Sequence, residues 1–174
     1  MKTSILSALG LILLLVIIRY FYFAPNLVFG EQAPDFKEKD ILNHEISLSQ
    51  FRGSYVLLDF WGSWCVPCRK ENKIMVLLYN IYKTAHFKKA SGIQFLSVAI
   101  ESNPSFAKEA IIQDGLVWPN HIIQSEMLKS PIPMLYNIKQ IPFKFLIGPD
   151  GKIILTNPDI KELDDYLAHN IIKN

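Results

Sequence analysis

Among 174 residues the chain holds two cysteines, Cys65 and Cys68, both inside FWGSWCVPCRKE. Two thiols at this spacing can close a disulfide, share a metal with further ligands, or sit buried as small apolar residues. As a structural staple the pair is weak. Disulfide stabilisation grows with the loop closed, about 3 kcal/mol for fifteen residues, and this ring holds only four residues. Zinc would need two more ligands, and His44, His86, His121 and His169 are isolated, without the paired spacing of a finger. Redox chemistry is the favoured reading, ahead of a metal carrier.

That chemistry needs a strand to end near Trp61 and a helix to begin near Cys65. Cys65 then caps a helix N-terminus, where unpaired N–H groups and the helix dipole favour a thiolate. Cys68, one turn further in, is expected to be less exposed. Cys65 would attack a partner disulfide, and Cys68 would resolve the mixed disulfide by attacking Cys65. Pro67 is tolerated in a first helical turn, where its missing N–H costs little.

The elements that would position the pair are legible on either side. Residues 54–61, SYVLLDFW, read as a β-rich apolar strand behind Arg52-Gly53. After the cysteines a helical pattern runs to about Lys89, with Ile74, Leu77, Leu78, Ile81, Tyr82 and Ala85 forming its apolar face. IQFLSVAI (93–100) reads as a second buried strand, followed by a helix over 104–113 and a short strand at 121–123. Residues 143–147 and 152–155 flank Gly148-Pro149-Asp150-Gly151, turn residues suited to a hairpin. A closing amphipathic helix covers 160–172, and residues 30–34 read as a linker. Residues 125–140 are hard to assign. Strands alternating with helices imply an α/β fold, a sheet covered by helices on both sides.

The formal charge is +2, and setting aside Lys2 and Arg19 leaves sixteen basic against sixteen acidic residues. So balanced a body lacks the clustered basic excess of a nucleic-acid binder. At the N-terminus one lysine precedes an uncharged run from Ser4 to Ile18. Fifteen helical residues reach about 22 Å, short of the roughly 30 Å hydrocarbon core. Counting through Arg19 to Phe23 supplies the length, with Arg19 snorkelling and Tyr20, Phe21, Tyr22 and Phe23 forming an aromatic belt. A cleaved secretory signal is the competing reading, and Tyr-Phe-Tyr-Phe-Ala-Pro is a poor cleavage site. A buried core helix is disfavoured because no polar face interrupts the run. The expected organisation is an uncleaved anchor over residues 1–29 and a domain over 30–174. Lys2 on the cytoplasmic side puts that domain outside.

DFWGSWCVPCRKE, between a strand and a long helix, resembles the thioredoxin superfamily, and most closely its membrane-anchored TlpA/ResA-like branch. GEQAPDF resembles the opening strand of that branch, and LSQFRGSYVLLDFWGSWC its first core strand. YNIKQIPFKFLIGPDGKII resembles the segment with a cis-proline and the final hairpin, and the elements between Pro104 and Ile123 match an insertion in the branch. The resemblance implies a thioredoxin-like fold, with a central mixed β-sheet flanked by helices and an N-terminal transmembrane helix. It implies a cis bond at Pro142 beside the disulfide and an Ile141 backbone that pairs with an extended substrate segment. Glu71 shares a helix face with Cys68 and matches an acid serving the thiol chemistry. Asp59 matches the buried acid of thioredoxin, its pKa raised by an apolar strand so that it can deprotonate the resolving thiol. Many relatives in the branch lack an acid there, which leaves the division of labour between Asp59 and Glu71 open.

Trp61 and Trp64 are expected to pack around the site and shape a shallow apolar surface for substrate, with plain core packing at least as well supported for Trp61. Arg69 and Lys70 are expected to be solvated. The function implied is that of an extracytoplasmic thiol-disulfide oxidoreductase acting on protein thiols and disulfides. It needs no bound cofactor or metal, because the disulfide is the redox group. The family direction is reduction, as in preparing apocytochrome thiols, with electrons from a membrane partner. The rivals are a thiol peroxidase of the peroxiredoxin type, a metal chaperone and a non-catalytic binding module. The first is disfavoured because Gly62 and Leu58 stand where peroxiredoxins place a threonine or serine and a proline.

Overall fold

In the computed structural model, residues 2–23 and 27–172 are described. Helix α1 (Lys2–Phe23) leads the chain. Among the described residues no helix is long and apolar enough to cross a membrane. The aromatic belt expected at 20–23 falls, Tyr22 apart, on side chains outside the described set, and so does the cleavage-site pair Ala24-Pro25. Tyr22 meets the body through Lys139, whose Nζ lies 4.3 Å from its ring centroid.

A hairpin of β1 (Lys37–Lys39) and β2 (Glu45–Ser47) leads through a 3-10 turn into β3 (Tyr55–Trp61). All seven β3 residues are buried, as suits a largely apolar strand at a sheet centre, with Asp59 the one acid among them. Helix α2 (Val66–Tyr82), β4 (Ile93–Ile100), α3 (Pro104–Asp114) and β5 (Asn120–Gln124) follow. The short α4 (Pro131–Leu135), β6 (Phe143–Ile147), β7 (Ile153–Thr156) and α5 (Ile160–Asn170) complete the chain. The sheet order is β5-β4-β3-β6-β7. β3 pairs with β4 in parallel and with β6 in antiparallel fashion, so the sheet is mixed, as expected.

Alternation along β3 divides the core. Tyr55, Leu57 and Trp61 face α2, α3 and α5, together with Met75, Leu78, Ala110 and Leu163. Val56, Leu58 and Phe60 face the other way, toward Ile46, Leu48, Ile132 and Tyr136 from the hairpin, the 3-10 turn and α4. The unassigned stretch 125–140 is therefore a lid for the second face.

Three expectations need correction. Helix α2 stops at Tyr82 rather than near Lys89, because the chain turns to bury Phe87 edge-on against Tyr55 and to bridge it to Ile171. Its inner face is Cys68, Asn72, Met75, Leu78 and Tyr82, whereas Leu77 and Ile81 are 62% and 59% exposed and Ile74 also faces out. Two polar-type residues on the inner stripe had shifted the apparent apolar face. Residues 30–34 are not a free linker either. Gly30 N–H donates to Ile153 O, Ile153 N–H to Glu31 O and Ala33 N–H to Gly151 O, which laces the segment onto the β7 edge.

Candidate active site

The link from β3 to α2 follows from three local facts. Gly62 lets Trp64 fold back: a Cβ at Gly62 would lie 2.8 Å from Trp64 Nε1 and 3.0 Å from Ile100 O. Trp64 Nε1–H donates to that carbonyl at 2.8 Å. Cys65 is extended (φ −85°, ψ 98°) and is the N-cap of α2, with Pro67 in the first turn. Its Sγ accepts from Cys68 N–H at 3.3 Å, where a serine or aspartate oxygen would accept in an ordinary cap.

Cys65 and Cys68 form a disulfide with Cα atoms 5.2 Å apart. Both are buried, at 4% and 1% exposure. Cys68 is the less exposed of the two, as expected, but in the oxidised form Cys65 is buried as well rather than open to solvent, while Trp64, Val66 and Pro67 beside them are exposed. Trp64 is on the surface as expected, and Trp61 is wholly in the core.

The approach loop is pinned by residues the motif did not announce. The buried Glu101, just past β4, accepts from Ser63 N–H at 2.6 Å and from Ser63 Oγ at 3.1 Å. Arg69, expected to be solvated, pairs with Asp114 at the end of α3, and Asn72 Nδ2 donates to the same carboxylate at 2.7 Å. Burial pushes Asp114 up, yet these hydrogen bonds outweigh it and hold the carboxyl below its usual range. Lys70 is exposed, as expected.

Three ionisable side chains gather between β3, β6 and α2. Asp59 is buried on β3, on the sheet face that α2 covers, as are its i±2 neighbours Leu57 and Trp61. Its register partner on β6 is Lys144, buried as well. Lys144 Nζ lies 2.9 Å from Glu71 Oε2 on α2, with side-chain exposures of 3% and 21%. Burial drives the Asp59 carboxyl up to about 7; Lys144 pulls it down and Glu71 pushes it further up.

The Ile141–Pro142 bond is cis, as the resemblance implies. Pro142 immediately precedes Phe143, which pairs with Phe60 near the end of β3, so it lies at the same end of the sheet as the disulfide. Ile141 is half-buried and packs against both core clusters. Asp59, Glu71 and Lys144 therefore come together between β3, β6 and α2, on the sheet face where Cys68 is also buried, while Trp64 is exposed. Lys144, Glu101, Asp114 and Asn72 were missed by sequence reasoning. Only Lys144 carried a signal, being the one charge in FKFLI. Among the described residues no three His, Cys, Asp or Glu side chains come together as a metal site.

A disulfide capping a helix at the end of a central strand, with a cis-proline opening the neighbouring strand, defines a thioredoxin-like dithiol-disulfide protein. Residues 29–156 match the AhpC/TSA family. The thiol-disulfide oxidoreductase ResA of Geobacillus kaustophilus is 35% identical over 136 residues, 76% of this chain and 72% of that protein. ResA of Bacillus subtilis is 31% identical over 151 residues, 82% of this chain and 79% of that protein. The thioredoxin domain of a thiol-disulfide oxidoreductase from Bacteroides vulgatus superposes with TM-score 0.72 at 29% identity, covering 83% of this chain and 98% of that one. The chain belongs to the AhpC/TSA family and is a thiol-disulfide oxidoreductase of the ResA type.

Proposed function

We propose that the protein is anchored by its N-terminal helix and reduces disulfides of exported proteins on the extracytoplasmic side of the membrane. The observation that carries the redox part is the Cys65–Cys68 disulfide at the N-cap of α2. In the reduced protein the helix N-terminus favours a Cys65 thiolate. That thiolate attacks a substrate disulfide, releasing one substrate thiolate and leaving a mixed disulfide on Cys65. Cys68, deprotonated, then attacks Cys65 Sγ. The Cys65–Cys68 bond forms, the second substrate sulfur leaves as a thiolate, and two electrons have passed from the protein to the substrate. A membrane dithiol partner returns the electrons.

Asp59 and Glu71 serve the proton of Cys68. Cis-Pro142 shapes the docking edge, on which the Ile141 backbone and Trp64 receive an extended substrate segment. The anchor is residues 1–29 and the catalytic domain 30–174. The uncharged run Ser4–Ile18 supports the anchor, as do the side chains from Leu9 to Ile18, which are exposed all round the helix.

The test is exchange with a model protein disulfide by the purified full-length chain in detergent. Wild type is expected to reduce it, Cys65→Ser to be inactive, and Cys68→Ser to accumulate mixed disulfides. A Cys65→Ser variant as active as wild type sinks the reading. Thiol alkylation in cells tests the direction: a largely reduced pair supports a reductase, a largely oxidised pair an oxidant. Protection of the domain from protease added outside sealed spheroplasts would overturn its location.

A further inference from the structure

Three ionisable groups come together on the sheet face that α2 covers, and only one of them is a cation. Glu71 touches it directly. Asp59 holds it as a cross-strand neighbour, on the same sheet face and more deeply enclosed. Two carboxylates beside one ammonium are not equivalent. The first negative charge settles where contact with the cation is closest and water still reaches, at Glu71. A second, on Asp59, must form in the core against the repulsion of the first.

We infer that Lys144 is a positioning residue for proton transfer in this site: by ion-pairing Glu71 it holds that group as the fixed carboxylate, and it leaves Asp59 as the acid that exchanges a proton with Cys68. This rests on the dithiol exchange proposed above and deepens it. In the resolving step the Cys68 thiol gives its proton to the Asp59 carboxylate. The Cys68 thiolate attacks Cys65 Sγ, the Cys65–substrate S–S bond breaks, and the departing thiolate is protonated by solvent. Lys144 lowers the cost of the Asp59 carboxylate that must exist before that transfer.

The groups acting on Asp59 are few. β6 brings Lys144 and α2 brings Glu71. β4 opposes Asp59 with the neutral Ser97, and α5 meets this face with Leu163 and Leu167, its Asp164 accepting from the Tyr82 hydroxyl. The opposing influences of Lys144 and Glu71 on Asp59 agree with the geometry.

The experiment is the pH profile of mixed-disulfide resolution, measured from pH 5 to 9.5 on the full chain in detergent with a preformed Cys65–thionitrobenzoate adduct. Lys144→Met keeps the length of the side chain and removes its charge. Its midpoint should move at least one unit alkaline, with a roughly fivefold slower step at pH 7 and rates converging with wild type above pH 9. Lys144→Arg should restore the wild-type midpoint. Glu71→Gln frees the cation for Asp59 and should move the midpoint to the acid side. Opposite shifts are something a merely structural lysine does not produce. An unchanged midpoint in a folded Lys144→Met protein, or shifts of the same sign in Lys144→Met and Glu71→Gln, overturns the inference. If Lys144→Met does not fold, infrared titration of the Asp59 carboxyl in oxidised wild type and Glu71→Gln decides it by the same sign. Should wild type itself fail to exchange, the function fails; should it exchange with unmoved midpoints, only the role of Lys144 does.

Discussion

Ser63 N–H donates to Glu101 Oε1 at 2.6 Å, so the loop that presents Cys65 hangs from a carboxylate buried at the end of the neighbouring strand. Removing that acceptor strands a donor in a crowded loop, a change that costs about 1–3 kcal/mol. Glu101→Ala is expected to lower the unfolding free energy measured in urea by that amount and to slow the attack of Cys65. Glu101→Gln retains an acceptor oxygen and should lose less of both. Equal losses in the two variants would contradict this account of the loop.

Asp59 makes the oxidised protein pH-sensitive in a defined direction. Unfolded, it loses its proton near 3.8; folded, it keeps it to about 7. The folded chain therefore binds more protons between these values, and stability falls as pH rises through the window. The whole span is on the order of 4 kcal/mol. Asp59→Asn should remove this slope and be the more stable protein at pH 7.5. Urea unfolding at pH 4.5, 6 and 7.5 measures it.

His121 works with the opposite sign. It is buried on β5, stacked on Trp118, with Nε2 3.2 Å from Leu116 O, and burial takes its pKa down from 6.5 to about 4. Here the unfolded chain binds the extra proton, so stability present above pH 6.5 is lost as pH falls toward 4, by about 3 kcal/mol. His121→Gln should flatten the acid limb of the unfolding profile and leave the Asp59 slope in place.

The two faces of α2 should separate cleanly under mutation. Leu78→Ala empties a core position and is expected to cost about 2–5 kcal/mol. Leu77→Ala, one residue away on the exposed side, should stay within about 0.5 kcal/mol. Thermal unfolding of both decides whether the inner face runs through Leu78.

Much of this architecture was legible before any coordinates. β3, β4 and β6 announce themselves as apolar runs because strands buried on both faces need no alternation. The hairpin turn and the cap at Cys65 follow from residue types whose backbone preferences are strong and local. The errors have a common origin, in contacts made across distance. Phe87 ends α2 early by docking on Tyr55, and Gly30 to Ala33 are ordered only because β7 offers them hydrogen bonds. Asp59 and Glu71 could be picked out because the family resemblance places acids at those steps from the cysteines. Glu101 and Asp114 could not, since only folding brings them to a loop some forty residues earlier.

The strand order has a consequence in time. β3 emerges from the ribosome with the cysteines close behind it, and β4 soon gives it a parallel partner. Its other flank is β6, some eighty residues later, so the central strand stays half-zipped until the chain is nearly finished. Asp59 and Lys144 meet only then. A chain cut anywhere between Cys68 and Pro142 would carry an intact C-x-x-C, yet lack the cation and the proline that turn two thiols into a built site.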